Sequence, residues 1–261
     1  MSKIAVITGG SSGIGKATAA LFARNGYAVY ELSRSGCDAD GVRHIDADVT
    51  KEETLRSAMA RVAEEQGRID LLVNNAGMGI SGAIEFTETE SARRIFDVNF
   101  FGTFCSVKAA LPYLRKSDEP RIINLSSVAA PLSIPFQSFY SATKAAINSL
   151  TLALANELHP WNFRVSAVMP GDVHTGFTAA REKSGAGEEL YGAAIEKAVG
   201  AMEKDELGGM TPDFIASLIF KVANKRRPKV LYTAGGKYKF FVFLSKALPS
   251  NLINKLVGAI Y

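Results

Sequence analysis

The chain has 261 residues, 47% of them hydrophobic, which suits one α/β domain with a large buried core. Its formal charge of +4 suits an anionic cofactor or an ordinary cytosolic enzyme, and no dense Lys/Arg block interleaved with aromatics points to nucleic acid. The two cysteines, Cys37 and Cys105, are far apart and outside any motif, which argues for a reducing compartment and against a disulfide framework.

The opening MSKIAVITGG reads as a strand entering a glycine turn, not as a signal peptide, and no apolar run approaches the roughly 18 residues of a membrane span; a cytoplasmic protein is expected. Ile4–Thr8 is short, apolar and β-branched and predicts a strand, followed by a helix over Ile14–Asn25 and a strand over Ala28–Leu32. Thr50–Gln66 has helical periodicity, with Thr50 as N-cap and Glu53 as its capping-box partner. Ile69–Val73 is a continuous apolar run, as expected of a strand buried on both faces. One long helix is predicted over Glu88–Leu114, then a strand over Arg121–Leu125, a helix over Phe139–Leu158, a strand over Arg164–Val168 and a last short strand over Val230–Tyr232. This βα alternation predicts a doubly wound, mostly parallel α/β sheet with helices on both faces, in one Rossmann-like domain over residues 1–235. The Gly-, Ala-, Glu- and Lys-rich stretch 172–210 interrupts the alternation at the carboxyl ends of the strands. It is expected to be a substrate lid, with a plain surface helix pair as the alternative.

The segment Thr8–Gly15 follows the first strand and opens the first helix. Glycines let the backbone turn sharply and approach a pyrophosphate, and the helix N-terminus offers free N–H groups to the anion. The spacing is G-x-x-x-G-x-G, so the common dinucleotide fingerprint is not met. Where that fold places an acidic residue for a ribose hydroxyl, this chain has Ser33 followed by Arg34, a pairing suited to a 2′-phosphate. This favours NADP(H); Glu31 lies on the same face as Ser33 and would favour NAD(H) if it reached the ribose.

Tyr140 and Lys144 are four apart, on one face of a helix. A nearby ammonium lowers a phenol's pKa and fits it for acid/base work, although surface helices often carry such a pair by chance. Ser127 follows the Arg121–Leu125 strand and suits either a substrate oxygen or a turn cap. Asn99 sits mid-helix, where asparagine is a poor helix former, so a specific hydrogen-bonding task is expected of it.

Seven motifs fall in one order and at fixed separations: TGGSSGIG at Thr8–Gly15, DV at Asp48–Val49, NNAG at Asn74–Gly77, VN at Val98–Asn99, SS at Ser126–Ser127, YSATK at Tyr140–Lys144 and PGDVHT at Pro170–Thr175. In combination they resemble the short-chain dehydrogenases/reductases over nearly the whole chain. The resemblance implies a seven-stranded sheet and a set of roles. Gly9, Ser11, Ser12, Gly13, Ile14 and Gly15 form the cofactor turn. Ser33 and Arg34 take the adenosine ribose, Asp48 and Val49 the adenine, and Asn75, Ala76 and Gly77 line the cleft. Ser127 orients the carbonyl, Tyr140 passes the proton, Lys144 also holds the nicotinamide ribose, and Asn99 supports a water-linked relay through Lys144. Pro170, Gly171, Val173 and Thr175 hold the carboxamide. No metal ligand is implied.

Ser127–Phe136, Arg34 and the extended tail look like the 17β-hydroxysteroid and retinol dehydrogenase branch, with Ala130-Pro131 departing from its usual small residue. The expected function is NADP(H)-dependent interconversion of a secondary alcohol and a ketone on an apolar substrate, a hydroxysteroid or bile acid first. A 3-oxoacyl thioester, a retinoid or a small sugar are the alternatives. The complete set Asn99, Ser127, Tyr140 and Lys144 argues against a non-catalytic NADP(H)-sensing regulator.

The tail over residues 236–261 mixes apolar residues with Lys237, Lys239, Lys246 and Lys255. Packing within the chain, as a cap on the pocket, or on a second subunit is expected of it, with weak contact to a membrane surface as the alternative. The Tyr140 helix is apolar on most sides, so a homodimer or homotetramer is expected.

Overall fold

The computed structural model describes residues 2–184 and 186–261; Met1 and, within the predicted lid, Gly185 lie outside the described residues. All five residues of strand β1 (Ile4–Thr8) are buried. Its side chains alternate between two cores: Ile4 and Val6 enter one apolar cluster, Ala5 and Ile7 the other. The chain continues through helix α1 (Gly13–Arg24), β2 (Ala28–Ser33), β3 (Val42–Asp46), α2 (Glu52–Gln66) and β4 (Leu71–Asn74). A small strand β5 (Ile80–Ser81) precedes α3 (Thr89–Phe96), a π-helical segment at Asp97–Phe101 and α4 (Gly102–Leu114). Next come β6 (Arg121–Leu125), α5 (Ala129–Leu132), α6 (Ser138–Glu157) and β7 (Arg164–Met169). The remaining elements are α7 (Phe177–Ala180), β8 (Glu182–Lys183), α8 (Glu188–Tyr191), α9 (Ala194–Leu207), α10 (Pro212–Asn224), β9 (Leu231–Thr233), α11 (Gly236–Ala247) and α12 (Ser250–Ile260).

The main sheet has seven strands in the order β3-β2-β1-β4-β6-β7-β9, all parallel. Ala19 and Phe22 of α1 pack with Ile215, Ile219 and Val222 of α10 on one face. Leu55 and Met59 of α2, Val107 and Leu114 of α4 and Leu154 of α6 cover the other. The strand order reverses between β1 and β4, which opens a crevice at their carboxyl ends.

Four sequence expectations change. Strand β3 was not foreseen: it is an edge strand with only Val42 and Ile45 buried, so its pattern is mostly polar. Helix α2 starts at Glu52 with Lys51 at its N-cap, and no side chain makes the cap bond. The Thr50 hydroxyl instead donates to Asp48 Oδ1 at 2.8 Å. The long helix of Glu88–Leu114 divides into α3, the π segment and α4. Residues 172–210 form several elements, of which β8 pairs with β5 outside the main sheet.

Candidate active site

A cavity of about 1450 Å³ runs along the carboxyl edge of the sheet. Its cofactor end is shaped by the glycine turn. Gly9 and Gly13 have φ of +66° and +51°, and a Cβ on Gly9 would meet Ala76 Cα at 2.9 Å. A side chain on Gly15 would fall on the Gly9 carbonyl and the Asn75 amide. Asn75 fastens the turn to β4: its Nδ2 donates to the carbonyls of Thr8 (3.1 Å) and Gly9 (2.9 Å), and its N–H donates to Thr8 Oγ1 (3.1 Å). No side chain caps α1 at Ser12, so its first-turn amides stay open toward the cavity for an anion. Across the crevice, Thr175 Cβ lies 3.5 Å from where a Gly13 Cβ would sit, so the loop after β7 closes over the turn.

Ser33 and exposed Arg34 line the cavity at the end of β2. Buried Glu31 does not line it: its carboxylate pairs with His44 Nδ1 on β3, and Ser33 Oγ donates to Glu31 Oε1 at 3.2 Å. His44 Nε2 reaches Asp46 at 3.0 Å. Burial opposes the His44 charge, but the bonds to Asp46 and Glu31 outweigh it and hold its pKa above the ordinary range. Burial also opposes ionisation of Asp48, yet the Thr50 N–H and hydroxyl, then Arg34 and Lys51, hold that carboxyl below its usual range. The open helix N-terminus, the glycine turn with its Ser11 and Ser12 on the cavity wall, and the basic end of β2 together fit a phosphorylated dinucleotide.

At the other end, β6 delivers Ser127 and α6 delivers Tyr140 and Lys144 to the same wall. Lys144 is buried and donates from Nζ to the Leu125 carbonyl at 2.8 Å, with Nζ 5.6 Å from the centre of the Tyr140 ring. Burial pushes the Lys144 ammonium down to about 8. Burial likewise pushes the half-buried Tyr140 phenol up to about 12; its hydrogen bond with Ser127 and the nearby Arg181 oppose this, while Glu206 and Asp172 add to it. Ser127 Oγ also accepts the Ala129 N–H at 3.1 Å, so the hydroxyl both caps the turn into α5 and faces the phenol.

A lysine pKa depressed from 10.5 to about 8 means the charged form costs the fold roughly 3 kcal/mol below pH 8. That cost fades between about pH 8 and 10.5, where the folded lysine has lost its proton and the unfolded one has not. Lys144→Met is therefore expected to raise the Tm of the cofactor-free protein at pH 7, while turnover is lost. Thermal scans at pH 7 and 10 check the sign: a gain that does not shrink at the higher pH refutes the buried-charge account.

Of the residues assigned catalytic or cofactor roles from sequence, Gly15 and Asn99, like the alternative ribose ligand Glu31, do not line the cavity; the others do. Gly15 acts from behind the turn. Asn99 is fully buried in the π segment: its Oδ1 accepts the Met78 N–H (2.8 Å), and its Nδ2 donates to the Met78 carbonyl (3.0 Å) and Thr143 Oγ1 (3.1 Å). These bonds occupy the amide in holding the loop after β4 against α6.

Other residues at the site were not read from the sequence. Phe177 packs on Tyr140 with ring centres 5.8 Å apart, and buried Arg181 pairs with Glu206 while its guanidinium lies 5.9 Å from the Phe177 ring centre. Asp172 accepts the Tyr238 hydroxyl, and the Tyr238 ring fills the space left by Gly171. From the tail, Phe241, Ile253, Leu256, Val257, Ile260 and Tyr261 line the cavity. The one sequence signal for them was the apolar spacing of the tail.

Comparisons with known proteins agree with this geometry. A family model described as short chain dehydrogenase matches residues 3–185. The chain is 38% identical to a 3-ketodihydrosphingosine reductase of Bacteroides thetaiotaomicron, over 99% of this chain and 98% of that protein. It is 33% identical to the 3-oxoacyl-[acyl-carrier-protein] reductase FabG of Thermotoga maritima, over 85% and 90%. Among solved structures, the ligand-free aldohexose dehydrogenase of Thermoplasma acidophilum superposes with a TM-score of 0.78 at 30% identity, covering 92% of this chain and 94% of that one.

Proposed function

The chain belongs to the short-chain dehydrogenase family, and we propose that it is an NADP(H)-dependent reductase of a ketone carried on a long apolar chain. The observation that carries this reading is the apolar wall that Phe241, Ile253, Leu256 and Val257 add to the cavity holding Tyr140, Ser127 and Lys144. The near full-length likeness to a 3-ketodihydrosphingosine reductase makes that keto lipid the first candidate. The hydroxysteroid or bile acid suggested by the sequence becomes the second candidate. For the cofactor, the accessible Arg34 and the engagement of Glu31 by His44 support NADP(H).

When bound, the nicotinamide supplies the hydride. This chain's own residues position the carbonyl and handle the proton. With its pKa near 12, Tyr140 is a neutral phenol at pH 7 and donates its proton to the carbonyl oxygen as negative charge develops there. Ser127 donates a second hydrogen bond to the same oxygen. Lys144 places its ammonium beside the phenol ring and favours the tyrosinate left behind. Phe177 shields the phenol from bulk water.

The test is NADPH-dependent reduction of a chain-length series of ketones. 3-Ketodihydrosphingosine, a 3-oxoacyl thioester, a ketosteroid, retinal and a small sugar run beside it, each also with NADH. A buried methylene is worth about 0.8 kcal/mol, so four more, if fully buried, are expected to raise kcat/KM by roughly two hundredfold. Ile253→Asp, which puts a carboxylate into the apolar wall, is expected to abolish that gain. Chain-length independence would remove the long-chain reading, and NADPH binding without any turnover would favour the sensor.

A further inference from the structure

We propose that the outer face of the α11–α12 tail docks on anionic lipid bilayers, with the cavity opening onto that surface. Each of the two helices has apolar residues both toward the cavity and on its exposed side. In α11, Phe241 faces the cavity and Val242 is buried, whereas Phe240 and Phe243 point outward with 60% and 65% of their surface exposed. Lys239 and Lys246 flank these phenylalanines at helical spacing on the same outward stripe, and both are exposed. In α12, Leu252, Leu256 and Ile260 follow one another every fourth residue and are 43%, 43% and 46% exposed. Leu256 and Ile260 also line the cavity, so this apolar strip runs from the outer surface into the cavity mouth.

Charge decides the occupant. Residues 236–261 contain four lysines and no aspartate or glutamate. Lys237 is engaged, 4.0 Å from Asp172 and 3.8 Å from Asp205. Among the described residues Lys239, Lys246 and Lys255 form no ion pair. A second copy docking through the same patch would set lysines against lysines across a two-fold axis, with no carboxylate on the patch to relieve them. An anionic bilayer accepts both features at once: the phenylalanines and leucines enter the acyl boundary, and the ammonium groups meet the headgroups. No helix is long and apolar enough to cross a membrane among the described residues, so the contact is one of docking.

Docking does not depend on the substrate reading above; passage of a lipid from the bilayer into the cavity does. The experiment is sedimentation of the full chain, without substrate, with vesicles of phosphatidylcholine alone or with about 30% phosphatidylserine. The expected result is binding to the anionic vesicles that weakens roughly tenfold without phosphatidylserine. A further loss of at least roughly tenfold is expected in Phe240→Ser/Phe243→Ser and in Lys239→Glu/Lys246→Glu. Because all four side chains lie off the cavity wall, the thermal midpoint and the turnover of a short soluble ketone are expected to stay at wild-type levels. Wild-type protein that stays in the supernatant overturns the proposal, as do variants that sediment like wild type. A self-associated protein that these substitutions convert to monomer, with no vesicle binding, assigns the face to a second copy instead. Failure to sediment leaves ketone reduction standing, and failure to reduce any ketone leaves vesicle docking standing.

Discussion

Tyr140→Phe is expected to lower kcat/KM for ketone reduction by roughly 10³- to 10⁴-fold while NADPH affinity changes by less than about threefold. The substitution removes one oxygen. The ring keeps its packing against Phe177, 5.8 Å between centres, and Lys144 keeps its bond to the Leu125 carbonyl. The wall that meets the cofactor is therefore unchanged. What disappears is a proton donor in contact with Ser127, which in a low-dielectric cleft has no substitute in bulk water. Ser127 and the apolar wall still hold the carbonyl, so a residual rate above the uncatalysed one remains. Single-turnover kinetics with fluorescence titration of NADPH separates the two effects. A variant that keeps more than about a tenth of wild-type turnover would remove Tyr140 from the proton step, and a parallel collapse of NADPH binding would make its role structural.

What was legible in the sequence was what local chemistry dictates. The glycine turn announces itself because a side chain at Gly9 or Gly15 would strike backbone. Tyr140 and Lys144 share a face because an α-helix repeats every 3.6 residues. Illegible were features made by long-range contact. The π segment at Asp97–Phe101 is a change of hydrogen-bond register that leaves no periodic trace, and it is what buries Asn99 against Met78 and Thr143. The bond from Tyr238 to Asp172 joins residues 66 apart and turns α11 toward the cavity; the apolar spacing of the tail gave a helix but not the side it faces. Strand β3 was hidden by its edge position, and with it His44. That histidine matters most, because it pairs with Glu31, the residue on which the cofactor choice turned when only sequence was in hand.

Arg34→Glu is the experiment on that choice, and it is expected to raise the KM for NADPH by roughly hundredfold, or about 2.7 kcal/mol, while the KM for NADH stays equal or falls. Arg34 is exposed at the end of β2, beside Ser33 on the cavity wall, and among the described residues it forms no ion pair. A bidentate guanidinium–phosphate pair is among the stronger charge-assisted contacts, and a carboxylate in its place adds repulsion of the 2′-phosphate. NADH carries no charge there and loses nothing. The fold is expected to be indifferent, since an exposed side chain is exchanged for another polar one, so unchanged thermal midpoints serve as the control. Equal losses with both cofactors would mean that Arg34 acts on a part they share. A wild-type protein that already prefers NADH would mean that Glu31 leaves His44 to bind the ribose. Glu31 gives Oε1 to His44 and Ser33 and leaves Oε2 buried off the cavity wall, without a partner among the described residues, so reaching the ribose would require the carboxylate to turn out of its pair with a histidine that Asp46 also holds. Giving up a buried, charge-assisted bond costs more than one ribose hydroxyl returns, and for that reason the NADPH-specific loss is the expected result.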